Sequence, residues 1–228
     1  MALKFGMSGQ AGFSHGIKTL VYGPAGFGKT RLGATAPTPL FLSAESGLLS
    51  IRRENVPFLQ IDNLADLNDA YNFILSSQDA KHFETICLDS ITEIAEQVLA
   101  YAKGKTKDPR QAYGELLEEM TIQIKKFRDL PNRHVYISAK QEQFKDEGTG
   151  YLLYGPSMPG SKLGPALPYL FDEVFRLGTA KEPATQKEYS FLQTKADLQY
   201  NAKDRSGSLD AIEPPDLKHV FNKILQGA

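Results

Sequence analysis

The chain has no tryptophan and a single cysteine, Cys87. One thiol cannot close an internal disulfide, so the sequence is not that of a disulfide-stapled scaffold, and a reducing, cytoplasmic setting is expected. Cys87 lies in an apolar run, where it reads as a small buried hydrophobe. No stretch of about 18 apolar residues offers a membrane span. The opening segment, MALKFGMSGQAGFSHG, lacks the apolar stretch of a signal peptide. An excess of either charge is missing too: 26 Lys and Arg stand against 27 Asp and Glu, for a net charge of −1. Proteins that hold nucleic acid tightly and constitutively carry a basic excess. Any polynucleotide site here must therefore be a local patch, or be assembled from several copies. The four histidines, at 15, 82, 134 and 219, are scattered singly and suggest neither metal-ligand spacing nor a Ser–His–Asp arrangement. Internal repeats and low-complexity segments are also absent.

What is present is ordinary globular material, 41% apolar and 23% charged over 228 residues, enough for a substantial core. Apolar strand-like runs alternate with helix-period segments, which predicts an α/β fold with a mainly parallel sheet flanked by helices. Strands are expected at 17–22, 39–45, 57–62, 83–89 and 134–138, and further strand-like runs at 173–177, 189–194 and 198–202, with antiparallel strands towards the C-terminus. Helices are expected over 64–75, from 90 to about 101, and beyond 112, where Leu116, Leu117, Met120, Ile124 and Phe127 share one face. Pro214-Pro215 precedes a closing helix with Leu217, Val220, Phe221 and Ile224 on its apolar face. The expected organisation is one domain over 1–228, with a flexible segment at 1–15 and the closing helix within 214–228.

The octapeptide Gly23-Pro24-Ala25-Gly26-Phe27-Gly28-Lys29-Thr30 fits G-x-x-x-x-G-K-[ST], the P-loop pattern, between a β-branched run and a helix-compatible run that starts at Arg31. Its glycines let the backbone turn tightly and present N–H groups to phosphate oxygens. Lys29 is placed to reach the β- and γ-phosphates, and the Thr30 hydroxyl to ligate Mg²⁺. The run Ile86-Cys87-Leu88-Asp89 reads as a Walker B strand that delivers the Asp89 carboxylate to the metal side of the site. Asp89 is followed by Ser90 rather than by a glutamate, so the water-activating base must come from elsewhere. Glu45, at the end of the strand PLFLSAES, is the candidate, against a reading as a solvated helix-capping acid.

PLFLSAES, ICLDSIT and HVYISAKQ, in that order, resemble the RecA-like ATPases over roughly residues 16–205. This resemblance implies ATP as the nucleotide, with no guanine-reading Asn-Lys-x-Asp in the sequence. It places the catalytic glutamate at Glu45, and the sensor position, Gln in the family, at Ala139 or Lys140, a departure in which Lys140 or Gln141 would take over. Ala202-Lys-Asp-Arg-Ser-Gly207 is similar to the Lys-x-Arg finger of ring-forming members. Lys203 and Arg205 would then reach the γ-phosphate of a neighbouring subunit and stabilise transition-state charge; the alternative is a basic hairpin tip.

The resemblance also implies single-stranded DNA on two loops. The first, 101–113, carries Lys103, Lys105, Lys107, Arg110 and Tyr113 against one acid, Asp108. Such interleaving suits phosphate contacts plus base stacking, although a solvated lysine-rich loop reads equally well. The second, 144–165, carries Lys145, Tyr151, Tyr154 and Lys162, and also suits a protein or subunit contact. The plan resembles the small phage ATPases of the RecA-like single-strand-annealing (Sak-type) group. It implies a DNA-stimulated ATPase in the host cytoplasm, assembled as a homo-oligomeric ring or filament with nucleotide at the subunit interface, with a single-strand-binding protein as a further partner. The rival expectation is a nucleotide switch that acts on a protein and never touches DNA.

Overall fold

The computed structural model describes residues 16–45, 47–146, 148 and 150–227. The segment 1–15, expected to be flexible, lies outside the described residues. The strands are β1 (Lys18–Gly23), β2 (Pro39–Ser43), β3 (Phe58–Gln60), β4 (Thr85–Asp89), β5 (His134–Lys145), β6 (Leu152–Pro156), β7 (Glu173–Lys181), β8 (Glu188–Gln193), β9 (Lys203–Asp204) and β10 (Ile212–Glu213). The helices are α1 (Lys29–Ala34), α2 (Leu64–Ser76), α3 (Ile91–Lys105), α4 (Pro109–Arg128), α5 (Leu163–Ala166) and α6 (Leu217–Gln226). The sheet order is β10-β8-β7-β1-β5-β4-β2-β3, with β6 on β5 and β9 on β7. From β3 across to β7 all pairings are parallel, and β6, β8, β9 and β10 pair antiparallel. The α/β architecture read from the sequence is therefore the one observed, including the antiparallel strands towards the C-terminus.

Parallel strands covered on both faces need apolar residues at every position, and β1 and β4 are buried throughout. Alternation sends Leu20, Leu42, Ile86 and Ile137 to the layer under α2, α3 and α4, and Val21, Phe41, Cys87 and Tyr136 to the opposite layer under α1 and α6. Leu217, Val220, Phe221 and Ile224 of α6 are all buried, as expected; each such side chain contributes roughly 1.5–3 kcal/mol. Gly33 lets α1 lie close on the sheet: a Cβ there would fall 2.9 Å from the Phe41 ring.

Three sequence expectations are corrected. Residues 101–113 do not form a loop: α3 continues to Lys105 and α4 starts at Pro109, because Ala102 and Ala112 both reach the core. The expected second loop is corrected in its first half, where β5 outruns the sheet and residues 141–145 pair with residues 152–156 of β6, from Gln141–Pro156 to Lys145–Leu152. Leu198–Ala202 is not a strand. It is a turn in which the Asp197 carboxylate accepts the N–H groups of Gln199 (2.8 Å) and Tyr200 (2.7 Å), the local side-chain bonding that competes with ladders.

Two desolvated groups, His134 half-buried and Glu173 buried, make the stability of the fold depend on pH. His134 accepts the Ile17 N–H at Nδ1 (3.0 Å) and stacks on Phe221. Burial, aided by the Lys18 ammonium, pushes its pKa down to about 4. Glu173 is 1% exposed, and burial followed by the Asp204 carboxylate pushes it up to about 8. As pH falls from about 6.5 towards 4 the unfolded chain takes up a proton at His134 that the fold refuses, so stability falls. As pH rises from about 4.5 through 8 the unfolded chain releases a proton at Glu173 that the fold retains, so stability falls there too. Between about pH 4.5 and 6.5 the two slopes oppose and cancel, so stability is expected to be level there, to drop below about pH 4.5, and to drop by roughly 2 kcal/mol between about pH 6.5 and 8. Thermal melts of Glu173→Gln should lose that alkaline drop and uncover a rise from about pH 4 to 6.5 that belongs to His134.

Candidate nucleotide-binding and catalytic site

The site lies beyond the carboxyl ends of the parallel strands, where α/β sheets place ligands. β1 delivers the P-loop. Gly26 and Gly28 sit at φ 80° and 95°, backbone that only glycine adopts without strain, and this turns the chain into α1. The Tyr136 hydroxyl of β5 donates to the Lys29 carbonyl (2.8 Å) and fixes the start of that helix. The Lys29 ammonium is held by the carbonyls of Gly23 (2.9 Å) and Pro24 (3.0 Å). Burial lowers its pKa, and Asp89 and Glu45 oppose that shift.

Three strands converge on Asp89, which is 4% exposed. Thr30 Oγ1 donates to Asp89 Oδ2 (2.6 Å), and Ser138 Oγ, at the end of the central part of β5, donates to Oδ1 (2.5 Å). Burial raises the Asp89 pKa, and the hydrogen bonds from Ser138 and Thr30 pull it back. In the neighbouring register Ser43 pairs with Asp89, and Glu45 follows two residues on. Its carbonyl is held by the Ser43 hydroxyl (2.6 Å), and its Oε1 accepts a short hydrogen bond from the Ser90 hydroxyl. The peptide between Asp89 and Ser90 is cis.

Among the described residues no group of three or more His, Cys, Asp or Glu side chains could hold a metal ion. One hydroxyl and one carboxylate in contact, beside a phosphate-binding turn, fit Mg²⁺ that shares its remaining ligands with phosphate and water. Thr30 and Asp89 are the residues that would hold it.

The AAA domain family AAA_24 matches residues 15–206. The chain belongs to that family. No curated protein matches it. Similar solved structures include a KaiC-like protein from Pyrococcus horikoshii OT3, 15% identical over 88% of this chain and 91% of that one, at a TM-score of 0.45. The RadB recombinase is 16% identical over 89% and 92%, at 0.44. An ATPase of the type III secretion system of pathogenic bacteria is 12% identical over 75% and 55%, at 0.49.

In this AAA domain the P-loop opens sideways into a cavity of about 540 Å³, lined by Phe27, Arg31, Glu54, Leu177, Ser190 and Pro215 among others. Phe27 and Arg31 were legible as P-loop residues. The other four come from four separate segments, and no sequence signal links them. Ser138 and Ser90 were also missed. Ser138 carried a weak signal, a hydroxyl at the end of an otherwise apolar strand. Ser90 carried a stronger one, since Ser90-Ile-Thr-Glu93 is a capping-box pattern.

Lys140 pairs with Gly23 in the β1–β5 register, so it stands at the mouth of the P-loop. Its ammonium is bound to Glu93 (2.9 Å) and Glu96 (3.2 Å) of α3, and the hydrogen bond it donates to Glu93 raises its pKa. Gln141 faces the other way along the strand, and its Oε1 is buried without a hydrogen-bond partner.

Lys203 and Arg205 are at the opposite edge of the sheet. β9 pairs with β7 at Glu173 and Val174, and Glu173 pairs with Thr19 at the start of β1. Lys203 Nζ donates to the Pro168 carbonyl (2.6 Å), and Arg205 Nη1 to Asp172 (2.7 Å). The pair cannot serve the P-loop of its own chain.

The structure divides the residues expected on DNA. Lys105 pairs with Glu115 (2.9 Å) and lies over the Tyr101 ring. Lys103 lies over one face of Tyr113, and Gly160 packs within van der Waals reach of that ring. Tyr154 stacks on Tyr200 (5.0 Å). Lys145 and the exposed Tyr151 belong to the β5–β6 hairpin, and Lys107 is exposed in the α3–α4 link. Arg110 and Tyr113 of the first expected loop meet Lys162 of the second around one cavity of about 470 Å³, floored by Leu116, Leu117 and Leu163.

Proposed function

We propose that this AAA domain, acting as one unit over its whole length, is a RecA-like ATPase that binds single-stranded DNA and promotes annealing or homologous pairing, as the Sak-type phage recombinases do. The arrangement of Lys29, Thr30, Asp89 and Glu45 around the P-loop supports hydrolysis. Glu45 takes a proton from water as the water oxygen bonds to the γ-phosphorus and the bond to the ADP oxygen breaks. Lys29 and the P-loop N–H groups hold the phosphates in line, and bound Mg²⁺ supplies further neutralisation of their charge. The nucleobase has the 540 Å³ cavity beside the P-loop to enter. Lys203 and Arg205, remote from their own P-loop, serve that of a neighbouring copy in a ring or filament.

The observation that carries the DNA reading is the convergence of Arg110 and Lys162, neither ion-paired among the described residues, on an apolar cavity beside Tyr113. Cations that flank an apolar pocket match a phosphodiester with an unstacked base. Single-strand affinity is expected to fall with a log–log salt slope of about −1.4, each of the two phosphate contacts contributing about −0.7. The double substitution Arg110→Ala, Lys162→Ala should bring the slope close to zero. Titration of a fluorescent oligonucleotide from 50 to 300 mM salt measures both. Absence of binding at the lowest salt, with hydrolysis indifferent to added strand, sinks the DNA reading and leaves the switch that acts on a protein.

A further inference from the structure

Among the described residues the Ser90 hydroxyl is the one side-chain donor on the Glu45 carboxylate. Glu45 needs such a donor. It lies past the end of β2 in irregular backbone, half-buried, and among the described residues it enters no ion pair, the Lys29 and Lys140 ammonium groups being held by other partners. A carboxylate on a short irregular segment samples several rotamers unless a partner selects one.

Ser90 itself is well fixed. It is 1% exposed, its backbone follows the buried strand β4, and it caps α3 by accepting the Glu93 N–H at Oγ (3.4 Å). A hydroxyl has one hydrogen and two lone pairs. With an oxygen lone pair turned to the helix terminus, the hydrogen is left for Glu45 Oε1. Glu93, at the reciprocating position of the capping box, accepts from the Lys140 ammonium rather than from the Ser90 backbone N–H. The hydrogen bond occupies Oε1 and leaves Oε2 to accept a proton from water.

We propose that Ser90 is the positioning residue for Glu45. It acts through Glu45 and touches no substrate, and it anchors the water-activating carboxylate to the end of the same strand that supplies Asp89. The inference rests on the hydrolytic reading given above.

The test compares wild type, Ser90→Ala, Ser90→Thr and Glu45→Gln by kcat, KM, the pH profile of kcat, nucleotide binding and thermal melting. Ser90→Ala is expected to lower kcat roughly 10- to 100-fold, the scale of a misplaced catalytic group, with KM and nucleotide affinity changed less than about threefold. Because the lost hydrogen bond favours the ionised carboxylate, the acid limb of the kcat profile should move to higher pH. Ser90→Thr, which keeps the hydroxyl, should restore both rate and limb. A lost helix cap lowers the melting temperature but leaves that limb in place. A Ser90→Ala rate equal to or above wild type, or a slower rate with an unmoved limb and no rescue by threonine, overturns the role of Ser90. If Glu45→Gln hydrolyses as wild type does, the assignment of Glu45 falls first and that of Ser90 with it.

Discussion

Glu45→Gln is expected to cut the ATPase rate by about 10²–10⁴, the usual contribution of a general base, and to leave nucleotide binding within a few-fold of wild type. The amide is nearly isosteric with the carboxylate and can still accept the Ser90 hydrogen bond, but it cannot take a proton. The phosphate-binding apparatus is built from other parts: Gly26, Gly28 and Lys29 of the P-loop, and the Thr30–Asp89–Ser138 chain of hydrogen bonds. Removal of the base therefore separates chemistry from binding. Single-turnover hydrolysis and fluorescent-nucleotide titration on the same preparation measure the two quantities. A loss of binding parallel to the loss of rate would mean that Glu45 supports the P-loop structurally and that the base lies elsewhere.

Arg205→Ala is expected to lower the rate of the assembled protein by about 10³, the lower end of what an arginine finger contributes. A competing explanation is visible in the structure: Arg205 is ion-paired with Asp172 (2.7 Å), and both partners are substantially exposed. An exposed pair of this kind contributes about 0–1 kcal/mol to stability, far too little for a thousandfold effect on rate. Asp172→Ala decides between them. It breaks the same ion pair but leaves the guanidinium free to reach a neighbouring copy, so its activity should stay near that of wild type. Mixing inactive Arg205→Ala with inactive Glu45→Gln should then restore part of the activity, since each supplies what the other lacks across a shared interface. Failure of Arg205→Ala to slow hydrolysis at any protein concentration would make the Lys203–Arg205 pair a structural feature of the β7–β9 edge.

The nucleotide site was legible because its chemistry is local. A phosphate-binding turn needs glycines at fixed offsets, a lysine and a hydroxyl in sequence, so eight consecutive residues carry it, and an apolar run that ends in Asp89 carries its neighbour. Glu45 was within reach for the same reason, as the polar end of a buried strand. The closing helix was legible in Leu217, Val220, Phe221 and Ile224, whose spacing admits one buried face. The segment 101–113 was misread as a loop because charge was counted without the helices under it. In 101–113, Ala102 and Ala112 are both buried, and their pull into the core extends α3 and α4 through residues whose lysines and tyrosines suggest a loop. Lys105 then finds Glu115, a partner ten positions away that lies close only across the helix junction.

The sequence by itself determined the fold class, the P-loop and the identity of the acids around it, since strand burial and phosphate chemistry constrain neighbouring residues. Only the tertiary structure decided which hydroxyls serve those acids, that Arg110 and Lys162 share a cavity, and that Lys203 and Arg205 face away from their own nucleotide site. Those relations depend on strand order and on register, which bring together residues that no local rule connects.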